Sequence, residues 1–300
     1  MGDRGRQEEL KARVSAALRA YIASNPIGAP KLKEGGRCWM PVYPGEPSHM
    51  DVLPAIPDPA GTGISLTDRD LRKWQSSDPI AYAEWFRGVM QPEVLILKEA
   101  ARAMNVEPMP DDEIKTMLQR AVQALKRHRD IFFADNCEIA PASIIATTLA
   151  AKAYADGAYT SGASLFSVLM DIVTSMPEHI TFKNGIYILE NPVCPTENFA
   201  DRWNKDPERA DAFFSWMTEV QDDFTAHRDA GGLPTLLESV AKSFGDDAKI
   251  AAARKVGTDV TDRRRAGLLT VGGTGLIGAS SRRPVVDHTF HGDAPTSRPA

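Results

Sequence analysis

Residues 37–56, RCWMPVYPGEPSHMDVLPAI, decide how the fold is read. At its centre Tyr43-Pro44-Gly45-Glu46-Pro47 can continue neither a helix nor a paired strand, so it marks a turn. The flanking segments CWMPV and HMDVLPAI read as two short strands meeting there. Side chains alternate along a strand, so His49, Asp51, Leu53 and Ala55 share one face and Met50, Val52 and Pro54 the other. Asp51 is thus a carboxylate inside an apolar strand. Two readings fit it: a strand-end Asp satisfied by a neighbouring backbone N–H, or a metal ligand held rigidly on a sheet and suited to Mg²⁺.

Outward from this stretch, the chain starts with an expected amphipathic helix over residues 6–23, with Leu10, Val14, Ala17, Leu18 and Tyr21 on one side. Downstream, Thr67 and Asp70 read as a helix-start cap ahead of the Trp74 segment. Asp78-Pro79 is a second start signal, and Pro92 is expected to break or restart that helix. The segment MPDDEIKTMLQRAVQALKRHRDIFF is the strongest predicted helix. It opens on Pro110, Asp111, Asp112 and Glu113, and it buries Ile114, Met117, Leu118, Ala121, Leu125 and Phe132. Lys126, Arg127, His128 and Arg129 crowd its far end, either as a solvated basic last turn or as a phosphate clamp.

The helix from Pro141 is almost wholly apolar, and Ser143 at its start could cap it or donate to a phosphate at the exposed N–H groups. FKNGIYIL predicts a hairpin, because Asn184-Gly185 between β-formers is a strong turn signal. ENPVCPTENFADRW reads as irregular, and two further helices follow. From about Lys255 the chain turns rich in Gly, Ser, Pro, Thr and Arg. Its VGGTGLIG lacks the strand–helix surroundings of a dinucleotide loop, and His288 and His291 are a weak metal pair.

The composition sets limits. Three hundred residues with 43% hydrophobic content support a sizeable core, and a charge of −5 excludes a general nucleic-acid coat. Cys38, Cys137 and Cys194 match no zinc spacing and point to a reducing, cytoplasmic setting. No apolar run is long enough to span a membrane.

Taken in order, the Arg37-Cys38 strand with HMDVLPAI, the W74-x-x-S-D-P-x-x-Y-x-x-W-F segment, ALKRHRDIFF, APASIIATTLAAKAY and ENPVCPTENFADRW resemble the cGAS/DncV-like nucleotidyltransferases, or CD-NTases, of bacterial CBASS anti-phage systems. The resemblance covers most of residues 6–256. It implies an α+β, mainly α fold: a partial polymerase-β-like core over residues 1–90, a helical nucleotide-binding domain over 91–256, and a flexible tail over 257–300. It implies synthesis of cyclic oligonucleotides from ATP, GTP or other nucleoside triphosphates with two Mg²⁺. Asp51 matches the third catalytic and metal-binding carboxylate, Lys126 the lysine on the triphosphate, and Ser143 the serine that supports it. The family carries a Gly-Ser motif and an Asp-x-Asp pair upstream of the third carboxylate; no Gly-Ser dipeptide occurs in this chain, and before Arg37 the acids Asp3, Glu8 and Glu9 fall in a loop or a surface helix rather than on a strand. The expectation is therefore that these 300 residues do not turn over alone, the alternative being a catalytically dead remnant that binds a nucleotide or a partner. The tail is similar to family C-termini joined to other molecules by an E1/E2-type enzyme. Its arginines, Arg263–Arg265 with Arg282 and Arg283, could contact a polyanion instead.

Overall fold

The computed structural model describes residues 7–45, 50–58, 63–68, 74–111, 113–157, 163–271, 277–278 and 283–284. The chain divides into two compact units, Met1–Gln221 and Asp222–Ala300. As expected, it is α+β and mainly α, with only small antiparallel sheets.

In the first unit, helix α1 (Gln7–Ser24) precedes strands β1 (Lys31–Glu34) and β2 (Trp39–Val42), which pair antiparallel. The apolar stripe read from the sequence is not the buried one. Gln7, Lys11 and Ser15 are buried, whereas Leu10, Val14 and Leu18 are half-buried and Tyr21 is 58% exposed. The reason is that the buried face of α1 bonds to backbone groups, with the Trp39 ring beneath Lys11. The Gln7 amide donates to Asp68 O (3.0 Å) and accepts from Asp68 N (2.7 Å), as a neighbouring strand would. Lys11 Nζ donates to both Gly35 O and Gly36 O, each at 3.1 Å.

The expected hairpin around the Pro-Gly turn narrows to one bridge, in which Trp39 and Val52 exchange both backbone hydrogen bonds at 2.9 Å. Residue 51 lies just outside it. Beyond it, β3 (Ala55–Pro57), β4 (Ile64–Leu66) and β5 (Gln75–Ser77) form an antiparallel sheet. The Trp74 segment therefore leads into a strand, and Asp70 lies outside the described residues.

Helix α2 (Pro79–Ala103) starts as predicted: Asp78 Oδ1 accepts Ala81 N at 2.9 Å, with Pro79 at the first helical position. It continues through Pro92 without a break. Helix α3 (Met117–Phe132) begins later than its acidic leader suggests, because Thr116 and Gln119 close a reciprocal capping box there. Glu93 of α2 adds its carboxylate to the Met117 N–H (2.9 and 3.0 Å), a negative charge at the positive helix end. Helices α4 (Ser143–Asp156), α5 (Leu165–Ser175) and α6 (Glu208–Arg228) complete the bundle.

Its core in the first unit holds Leu118, Leu125, Leu149, Ile172, Met176, Phe213 and Trp216, all at 0% exposure. Each contributes about 1.5–3 kcal/mol of burial. His128, expected in a solvated turn, belongs to this core at 2% exposure, where its Nδ1 accepts Trp216 Nε1–H at 3.1 Å. Tyr82 Oη and Thr148 Oγ1, 2.8 Å apart, tie α2 to α4, and burial pushes the Tyr82 phenol up to about 12. The predicted Asn-Gly hairpin is present as β6 (Thr181–Lys183) and β7 (Ile186–Ile188), with Asn184 at φ 54° and Gly185 at φ 76°. The stretch expected to be irregular pairs β8 (Glu190–Asn191) with β9 (Cys194–Asn198).

In the second unit, α7 (Leu233–Phe244) leads into α8 (Asp246–Arg265). Asp223, at the end of α6, holds both Lys242 Nζ and Ser243 Oγ of α7 at 2.8 Å. Helical structure thus persists nine residues into the segment expected to be tail. Thr270–Val271 then pairs with 277–278 and 283–284. Residues 285–300, with His288, His291 and the expected conjugation end, lie outside the described residues, as do Gly272–Gly273 of the glycine-rich motif.

Candidate nucleotide site

The residues marked by the sequence fall into two clusters of the first unit. The first forms where the end of α3 meets the start of α4. Arg129 Nη1 donates to Ser143 Oγ (2.6 Å) and to Pro141 O (3.3 Å), while its other nitrogens bind Asp130. Ser143 is the first residue of α4 rather than its cap: the cap position is Ala142, and no side chain closes it. In that first turn Ile145 N donates to Ala142 O at 2.9 Å, which leaves the Ser143 and Ile144 N–H groups to meet an anion.

One turn before Arg129, Lys126 is half-buried, and no hydrogen bond engages its ammonium among the described residues. Burial first, and then the Arg129 charge, hold its pKa below the usual lysine value, with Asp130 opposing. An incoming phosphate would relieve both effects. The four-residue basic run thus splits by helical position. Lys126 is poised, Arg127 is exposed, His128 is core and Arg129 links two helices.

The second cluster surrounds Asp51, which is exposed and neighbours the Cys38 thiol. Burial, and then the Asp51 carboxylate that accepts its hydrogen bond, push the Cys38 thiol up, while Lys11 and Arg202 act in the opposite sense. Cys38 sits on a tight turn: Gly35 N donates to Cys38 O at 2.9 Å, and a Cβ on Gly35 would lie 2.8 Å from Cys38 Sγ. Only glycine fits there without displacement.

Arg37, which sequence reasoning treated only as part of a strand, is the hub. Its Nε donates to Asp68 Oδ2 (3.0 Å), Nη1 to Glu197 Oε1 (3.4 Å) and Nη2 to Asp201 Oδ2 (3.1 Å). The Asp68 and Glu197 side chains are 6% and 5% exposed. Glu197 also accepts Asn191 Nδ2 at 2.8 Å. Its carboxylate partners lie 31–164 residues away, beyond the reach of any local sequence pattern.

Between the clusters lies a cavity of about 160 Å³, lined by Arg37, by Pro141, Ala142, Ile144 and Ile145 around Ser143, and by Phe199, Asp201, Arg202 and Trp203. A second cavity of about 250 Å³ shares Asp201, Arg202 and Arg209 with it and reaches Gly36 and Asp68. Asp51, Lys126 and Ser143 line neither cavity. Among the described residues, no group of three or more His, Cys, Asp and Glu side chains is arranged to hold a metal ion. Asp51 has a thiol beside it, and Lys11 and Arg202 act on that thiol, which is not the oxygen-rich surrounding that Mg²⁺ requires. These residues do not fit a two-metal centre.

No family model matches the chain. It is 31% identical over 264 residues to a protein of Roseivirga ehrenbergii named c-di-GMP synthase, covering 86% of this chain and 68% of that one. Among solved structures, the Bradyrhizobium diazoefficiens CD-NTase CdnG in complex with GTP superimposes with a TM-score of 0.61 at 19% identity, over 86% of this chain and 76% of that one. GTP-bound Vibrio cholerae DncV gives a TM-score of 0.55 at 18% identity, over 78% of this chain and 56% of DncV. At those identities the structures establish a shared fold, and the curated relative carries the kinship. No described helix is long and apolar enough to cross a membrane. The chain belongs to the cGAS/DncV-like nucleotidyltransferase, or CD-NTase, family.

Proposed function

We propose that this chain is a cyclic-oligonucleotide synthase subunit or segment acting on nucleoside triphosphates in anti-phage signalling, and that its 300 residues bind nucleotide without turning over alone. The observation that carries the reading is the 31% identity to a c-di-GMP synthase across 86% of the chain. The GTP complexes of CdnG and DncV, which share the fold, support a triphosphate as ligand. The half-buried ammonium of Lys126 beside the open first turn of α4 suits a phosphate chain.

Two Mg²⁺ ions would supply charge stabilisation to the attacking and leaving oxygens of a phosphoryl displacement. The family resemblance assigns Asp51 to such a centre, but one carboxylate does not hold two ions. That shortage of ligands also supports a second reading, a catalytically dead remnant that keeps nucleotide or partner binding.

Turnover separates the readings. The purified chain incubated with all four nucleoside triphosphates and Mg²⁺ or Mn²⁺ is expected to give no cyclic or linear product and no pyrophosphate, while binding GTP. Supplying a segment that carries a Gly-Ser turn and two further carboxylates, in cis or in trans, is expected to start synthesis that Asp51→Asn abolishes. A complemented protein that stays inert yet binds GTP decides for the remnant. Robust product from the chain alone overturns the proposal.

A further inference from the structure

The cations that line the two adjoining cavities are unequally engaged. Asp68 and Asp201 are taken up by Arg37, and Asp206 pairs with Arg209 Nε at 2.9 Å. Arg209 Nη1 in addition donates to Glu138 O. That leaves Arg202 and Lys205, both exposed, both lining the second cavity, and neither with a hydrogen bond or ion pair from its side chain among the described residues. Their backbone is held in place: Lys205 N donates to Arg202 O at 3.2 Å, and Trp203 between them is 2% exposed in the core. Two cations without a direct side-chain bond are thus presented from a fixed turn, with Arg202 close enough to act electrostatically on Cys38 beside Asp51.

We propose that Arg202 and Lys205 form a second phosphate subsite, on the Asp51 side of the cavity and separate from Lys126 and Ser143, that receives the phosphate chain of a nucleotide. The assignment rests on the nucleotide reading above and deepens it. A planar guanidinium engages two phosphate oxygens at once, while the lysine adds a movable point charge. Phe199, Pro141 and Ile144 line the first cavity together with Arg202, where the rest of the nucleotide would find an apolar surface.

The test is equilibrium binding of GTP and of inorganic tripolyphosphate to the full chain by calorimetry, at two salt concentrations. The variants are Arg202→Ala, Arg202→Lys, the Arg202→Ala/Lys205→Ala pair and Lys126→Ala. Both target residues are exposed, so the folded state is expected to survive, with circular dichroism as the check. The double variant is expected to lose about tenfold or more in affinity for both probes, with a shallower salt dependence, and Arg202→Lys to recover part of the loss. Loss for tripolyphosphate with GTP unaffected overturns the assignment in favour of a free-anion contact. If Lys126→Ala weakens GTP and the double variant does not, this inference falls and the nucleotide reading stands. Wild-type protein that binds neither probe overturns both.

Discussion

Replacing Arg37 with Gln removes one guanidinium from among three carboxylates while leaving a polar side chain of lesser reach. Asp68 and Glu197, whose side chains are 6% and 5% exposed, then lose the Arg37 cation. Breaking a buried pair by removing one partner costs about 3–5 kcal/mol. The Arg37 side chain is itself 21% exposed and Asp201 26%, so water screens part of the loss and the lower end, about 3 kcal/mol, applies. At about 2–4 °C per kcal/mol for a unit of this size, Arg37→Gln should melt about 6–12 °C below wild type by differential scanning calorimetry. Arg37→Lys keeps the charge but not the three-way fork, and should fall between the two. Adding Asp68→Asn to Arg37→Gln removes one stranded charge and should recover part of the loss, since the two sites share one network. A melting point for Arg37→Gln within about 1 °C of wild type would refute the claim that this cluster holds the Gly35–Cys38 turn to the 197–201 segment.

Two further outcomes follow from the site. Lys126→Met should lower GTP affinity about tenfold to a hundredfold, the worth of a charge-assisted bond, while leaving thermal stability unchanged or slightly raised. The sign follows from the lowered lysine pKa. The unfolded chain holds its proton to higher pH than the folded one, so folding works against this charge, and wild-type stability gains as pH rises toward the ordinary lysine value. A stability loss without an affinity loss would make Lys126 structural. For the cysteines, limited alkylation near pH 8 followed by peptide mass analysis should mark exposed Cys137 well before Cys38, whose thiol burial and Asp51 keep protonated. Equal labelling rates would contradict the Cys38–Asp51 contact.

The sequence made some features plain because their cause is local. Asp78-Pro79 starts α2 and Asn184-Gly185 turns the β6–β7 hairpin through side chains and dihedral preferences only a few residues apart. Ser143 was rightly placed at a helix start, but its partner Arg129 was hidden in a run of four basic residues. Helical rotation sends those four to different environments, and composition cannot resolve that. The stripe on α1 misled for a related reason: apolar period reveals which face is greasy, not whether the neighbour is a side chain or a backbone. Arg37 gave no sign of its role, since its partners are 31, 160 and 164 residues distant. The domain ranges drawn from family likeness also differ from the compact units, whose boundary falls inside α6 at 221/222.

The way α1 is attached has a consequence for native-state motion. Its anchors are the Gln7 amide on Asp68, the Lys11 ammonium on Gly35 and Gly36, and the Trp39 indole donating to Lys11 O at 3.2 Å. None of the buried residues of α1 is apolar and Trp39 is the large ring that Lys11 covers, so such an opening adds less to the denaturant slope or the heat capacity of unfolding than opening the bundle would. A bundle held by Trp216, Phe213 and Leu118 opens only at the global cost, whereas α1 can exchange with solvent far below it. Amide hydrogens of α1 and of the Gly35–Cys38 turn should therefore exchange as one early group. The segment bearing Arg37 and Cys38 belongs to the most labile cooperative unit around the site, and a ligand that bridges it to the bundle would register first as slowed exchange there.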